Sequence, residues 1–90
     1  MAQPDETEVA LRDTIAQAPG NLEASFELAE LLVAKNRGEE SIPLLLDILA
    51  IDRNWQDKKA YNKLMDVFKK LGQASDAVKT GRKRLANILF

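Results

Sequence analysis

Apolar residues recur at helical spacing along most of the chain, and breakers divide the pattern into five segments. The first is predicted over 5–17, with Asp5 as cap, Glu8 as its capping-box partner, and Val9, Leu11, Ile15 and Ala16 as the apolar side. Pro19 and Gly20 stop it, and Asn21 is placed to cap the next. The second, over 22–35, is ringed by Leu22, Phe26, Leu28, Ala29, Leu31, Leu32 and Val33, so it must pack on more than one side. A turn at Asn36, Arg37 and Gly38 suits a positive φ. The third helix, over 39–52, opens on Glu39 and Glu40 and presents Leu44, Leu45, Ile48, Leu49 and Ile51. Pro43 costs little if this helix starts at Ser41, and deletes one hydrogen bond if it starts at Glu39. The fourth, over 57–71, carries Ala60, Leu64, Val67, Phe68 and Leu71 and ends at Gly72. The fifth, capped by Ser75 and running to about 89, carries Ala77, Val78, Gly81, Leu85, Ile88 and Leu89.

The segments repeat. A shift of 36 residues maps Leu28 to Leu64, Leu32 to Phe68, Asn36 to Gly72, Ser41 to Ala77, Ile42 to Val78 and Leu49 to Leu85. A shift of 34 maps Leu11, Ile15 and Pro19 onto Leu45, Leu49 and Arg53. The order of Leu28 and Ala29, Leu32, Ser41, Leu45 and Ile48 resembles the helix–turn–helix signature of the tetratricopeptide repeat. The expected fold is one all-α domain of antiparallel helical hairpins, five helices in a right-handed array. It divides into a half repeat at 5–18, a repeat at 21–54 and a divergent repeat at 55–90. The half repeat is expected of a fragment cut from a longer chain. Gly81 falls where such a repeat has a large residue, so it either permits close helix approach or marks a weak spot.

Composition narrows the function. The 90 residues are 46% apolar and 30% charged, with no cysteine and no histidine. That removes disulfides, thiol redox chemistry, zinc sites built from Cys or His, and histidine catalysis. A net charge of −1 argues against a nucleic-acid binder. The opening residues are acidic and poor in apolar groups, unlike a targeting peptide. The longest apolar run, 42–51, is too short for a membrane span and holds Pro43 and Asp47, so the cytoplasm is the expected location. Charge is unevenly spread. Through Leu45 the net is −6, and from Leu46 onward it is +5. Such asymmetry either guides a partner or lets the two ends pair with each other.

The groove lined by the first helix of each repeat is the candidate site. Glu23, Glu27 and Glu30 share one stripe, with Phe26 on its flank and Val33 nearby. The equivalent positions on the fourth helix are Lys59, Lys63 and Asp66, with Lys70 one turn on and Asn62 in the place of Phe26. These nine residues fit a groove for an extended peptide or partner helix, Phe26 giving apolar contact and the charges setting orientation. The alternative is that Glu27 and Lys63, with their neighbours, simply pair across the groove. Trp55 is expected to plug the junction between the third and fourth helices. Arg82, Lys83 and Arg84 suit the end of a helix, and Phe90 is expected to fold back over the fourth helix. No carboxylate pair is marked as catalytic, Tyr61 lacks a basic partner, and Gly20, Gly38, Gly72 and Gly81 are scattered and not a phosphate loop. The chain is therefore read as non-catalytic, with no cofactor and no metal.

A narrower likeness rests on Asn21-Leu22-Glu23-Ala24 opening a repeat, Ile51-Asp52-Arg53 leading to Trp55, Leu64 through Phe68 to Leu71-Gly72, and the ending Arg82-Lys83-Arg84-Leu85-Ala86-Asn87-Ile88-Leu89-Phe90. Over about 10–90 the chain resembles the C-terminal repeat domain of bacterial thioredoxin-like co-chaperones. The resemblance implies a protein-binding module that holds clients or meets a chaperone partner, with a thioredoxin part missing. Without cysteine, this piece has no thiol–disulfide activity of its own. The basic clamp that some repeat domains use for a partner's C-terminal carboxylate is not matched, because Phe26 and Glu30 stand where cationic or amide side chains belong. The alternative role is structural: oligomerising the parent through the outer face of the first helix, or orienting the thioredoxin domain.

Overall fold

The structure, a computed structural model, describes residues 5–90. Five helices follow in order: α1 Glu6–Gln17, α2 Leu22–Ala34, α3 Gly38–Ile51, α4 Trp55–Leu71 and α5 Asp76–Leu89. Among the described residues there is no strand.

The expected helix ends form for the expected reasons, with two exceptions. The Asp5 carboxylate accepts from the N–H groups of Thr7 and Glu8 at 2.9 and 3.2 Å. The Asn21 side chain accepts from Ala24 N–H at 3.1 Å, and Ser75 Oγ accepts from Val78 N–H. At the end of α2 the positive φ falls on Asn36, at 61°. Arg37 N–H then donates to the Leu32 carbonyl and Asn36 N–H to the Val33 carbonyl, the paired bonds of a Schellman turn. The first exception is Glu8, which turns its carboxylate toward Arg12, Lys35 and Arg37 instead of acting as a capping-box partner.

The second exception is the head of α4. Trp55 begins the element, but Gln56, Asp57 and Lys58 take φ values of 51°, 56° and 66°. This is a left-handed turn without glycine, and such geometry costs roughly 1–2 kcal/mol per residue. Asp57, expected to open a regular helix, sits in its middle. α3, for its part, starts at Gly38, so Pro43 lies inside it and one backbone hydrogen bond is absent. Pro43 sits on the exposed side of α3.

α3 packs against α2, α4 and α5. It buries Ser41, Ile42, Leu45, Leu46, Ile48 and Leu49. These meet Phe26 and Ala29 of α2, Leu64, Val67 and Phe68 of α4, and Val78 and Leu85 of α5 in one core. Leu28 and Leu64, related by the repeat, are both fully buried. Gly81 lies at the tightest approach. A Cβ there would stand 2.9 Å from Ile42 Cγ2 and 3.0 Å from two ring carbons of Phe68. The close-approach reading of Gly81 therefore holds, and the large residue of an ordinary repeat has no room.

α1 is held differently. None of its residues is buried. Leu11 and Ile15 are half-buried, whereas Val9 is 56% exposed and Ala16 is exposed. The four do not form one apolar side, because residues two apart lie about 200° apart on a helix of 3.6 residues per turn. An ion cluster supplements the thin apolar contact. The Glu8 carboxylate meets Arg37 at 2.7 Å, Arg12 at 3.0 Å and Lys35 at 3.1 Å. Lys35 also reaches Asp5 at 3.2 Å, and Arg37 holds Glu40 at 2.5 Å. The Arg37 guanidinium, then Lys35 and Arg12, pull the Glu8 carboxyl from its ordinary 4.5 down to about 2. Glu40 is lowered by Arg37, and Asp5 first by the Glu8 N–H and then by Lys35.

Two outcomes are expected. Gly81→Ala gains helix propensity of up to about 1 kcal/mol but overpacks the α3–α4–α5 contact at a cost of about 1–3 kcal/mol. A net loss of about 1 kcal/mol in urea unfolding is expected, and an equally stable or stabilised variant would contradict the packing. A carboxyl lowered on folding stabilises the native state above its unfolded pKa and loses that contribution as pH falls through the folded value. The docking of α1 is therefore expected to weaken as pH drops from about 4.5 to about 2. Glu8→Gln should loosen α1 at neutral pH, and its difference from the parent in amide spectra should vanish in strong acid. A difference independent of pH would contradict the ionic docking.

Candidate partner-binding surface

The α2 stripe forms as expected. Glu23, Glu27 and Glu30 are all exposed on it. They meet the head of α4 in a cleft of about 180 Å³ lined by Glu23, Phe26, Glu27, Glu30, Trp55, Gln56 and Lys59. Five of the nine sequence-derived residues are thus brought together. The other four lie farther along α4. Asn62 and Asp66 are exposed and Lys63 is half-buried, and none of them lines this cleft. Lys70 lines a separate cavity at the far end of the same two helices, with Val33, Asn36, Gly38, Val67 and Leu71.

Phe26 requires a correction. It is not an exposed contact but is only 3% exposed. Its ring lies 5.4 Å from that of Trp55, tilted by 49°, and the Lys59 ammonium stands 4.7 Å from its centroid. The half-buried Trp55 takes the place expected of Phe26 as the aromatic at the surface. Trp55 packs between elements, as anticipated, but its partner is α2 as well as the α3–α4 junction. Gln56 was not foreseen. The left-handed turn that puts it beside α2 contains no glycine, so the sequence carries no local sign of it.

The alternative of pairing across the groove is not what the chain adopts. Among the described residues, ion pairs join Glu8, Asp5, Arg12, Lys35, Arg37 and Glu40 at one end, and Asp47 with Arg84 elsewhere. None includes Glu23, Glu27, Glu30, Lys59, Lys63, Asp66 or Lys70. Three carboxylates therefore remain open around a cleft whose own cation, Lys59, lies over an aromatic face. An opening of this kind can orient a polypeptide by charge and give it a flat apolar contact.

The C-terminal features divide. Arg84 pairs with Asp47, and the Arg82 guanidinium lies 5.2 Å from the Phe68 ring centre, so two of the three clustered bases have structural partners. Phe90 does not fold back over α4 and is fully exposed. It follows the half-buried Leu89 by one residue, about 100° around the helix, which turns it off the bundle. Among the described residues, no helix is long and apolar enough to cross a membrane, and no three His, Cys, Asp or Glu side chains are gathered to hold a metal ion.

Comparison with known proteins agrees with this architecture. The tetratricopeptide repeat family matches over residues 2–90. An uncharacterized protein, y4yS, of Sinorhizobium fredii is 40% identical over 47 residues, which is 52% of this chain and 26% of that protein. The chain thus aligns with only about a quarter of that relative's length. No solved structure matches the chain. Domains of this kind generally mediate protein–protein contact, and the chain belongs to the tetratricopeptide repeat family.

Proposed function

We propose that this chain is the protein-binding repeat segment of a bacterial thioredoxin-like co-chaperone, working in the cytoplasm and holding a client or chaperone partner along the α2–α4 groove. The observation that carries the reading is the cleft at the N-terminal ends of these helices. Its carboxylates Glu23, Glu27 and Glu30 have no ion-pair partner among the described residues, and the half-buried Trp55 ring lies beside them. Asn62, Lys63 and Asp66 follow along α4 outside the cleft, and Lys70 lines a separate cavity at the far end. A bound segment would gain apolar contact on the Trp55 ring and be oriented by the uneven charge.

The alternative, self-association through α1, has less to support it. Val9 is the one large apolar side chain that α1 exposes strongly among the described residues. A protein face that drives stable association needs a contiguous apolar area, not a single valine.

The groove is tested with a chemically unfolded model client and two variants. Glu27→Lys changes an exposed position and leaves the core alone, whereas Trp55→Ala removes the surface aromatic. Each is expected to weaken client binding by about tenfold in calorimetry, roughly 1.4 kcal/mol, with helicity unchanged for Glu27→Lys. Affinity untouched by both would sink the groove reading. Phe26→Ala is not a fair probe, because truncating that buried ring is expected to destabilise the fold itself by about 3–5 kcal/mol.

A further inference from the structure

A second cavity, of about 350 Å³, lies apart from the groove, at the meeting of the α3 C-terminus, the head of α4 and the α5 C-terminus. We propose that it is a docking site for a protein segment bearing a large apolar side chain beside a carboxylate. Its lining consists of Leu49, Tyr61 and Leu89, which supply the apolar part, and Arg53, Asn54 and Lys58, which supply cations and an amide. The volume falls within the range of sites that accept a compact ligand, about 300–1,000 Å³.

Charge complementarity sets the occupant. Arg53 and Lys58 are exposed, and neither joins an ion pair among the described residues. Arg53 donates from Nη1 to the Leu89 carbonyl at 3.4 Å, which leaves most of its five N–H groups for an anion. By contrast, Arg12, Arg37 and Arg84 each meet a carboxylate of the chain. The nearby Asp52 carboxylate accepts from Asn54 N–H at 3.1 Å and does not line the cavity, and neither does Asp57. The left-handed turn bears on this placement too, since it sets Gln56 on the α2 cleft and Lys58 on this cavity.

The apolar part of the lining, Leu49, Tyr61 and Leu89 beside two cations, selects a protein segment over a small anion. A polypeptide seated on Arg53 and Lys58 can also set an apolar side chain against Tyr61 and Leu89, which a compact anion cannot do.

Three short peptides titrated into the 90-residue chain test the proposal by amide NMR: one alternating Leu with Asp, one alternating Leu with Lys, and one alternating Ser with Asp. The Leu–Asp peptide is expected to shift the signals of Arg53, Asn54, Lys58 and Leu89. Replacing Arg53→Gln and Lys58→Gln together, both at exposed positions, is expected to weaken it by about tenfold or more with the remaining spectrum unchanged. Glu27→Lys should leave the affinity as it was. Equal binding of the Leu–Lys or Ser–Asp peptide, no binding of any peptide, or an affinity indifferent to the double variant would overturn the proposal. Shifts confined to the Glu27 cleft would overturn it while leaving the groove reading standing.

Discussion

The burial of α3 against three other helices is the constraint on which the rest of the molecule depends. Ile42, Leu45, Leu46, Ile48 and Leu49 reach the core from one broad face of that helix, and each such side chain contributes about 1.5–3 kcal/mol when fully buried. Ser41 is buried too, its hydroxyl satisfied by the Gly38 carbonyl, and it stands where the repeat requires a small residue. Because α4 and α5 both lean on α3, the second hairpin is positioned by the first. Gly81 is the clearest sign of this dependence, since it sits in contact range of Ile42 on α3 and Phe68 on α4.

Stability therefore falls from the centre outward, as it does in stacked repeats whose neighbours supply one another's contacts. α1 lies at the edge, with Leu11 and Ile15 half-buried and an ion cluster centred on Glu8. Its attachment responds to acidity in a way that the apolar core does not. The two candidate surfaces are likewise edge features. They flank the head of α4, where Gln56, Asp57 and Lys58 turn against the usual hand. A strained segment of this kind persists because the packed residues on either side, Trp55 against Phe26 and Ala60 in the core, hold its ends.

Much of this was legible in the sequence. The repeat spacing placed all five helices, and Asp5, Asn21, Ser75 and Gly72 marked their limits because caps and stops act locally. What failed was decided by tertiary contact. Val9 and Ile15 are both apolar, yet only the latter faces α2. Phe26 sits among acidic residues on an outward stripe, but the tilted Trp55 covers it. Glu8 has capping-box spacing, but two cations at the end of α2 outcompete a single backbone N–H. Phe90 was expected to fold inward, and the angular step from Leu89 sends it out. The left-handed turn has no glycine to announce it, and both candidate surfaces rely on its position.

Native-state hydrogen exchange tests the central role of α3 most directly. Amides of residues 45–49 are expected to exchange only through global unfolding, those of α2 and α4 nearly as slowly, and those of α1 through much easier local opening. If α1 were as protected as α3, or if the α3 amides exchanged by a low-energy local opening, the picture of one central helix organising the array would be contradicted.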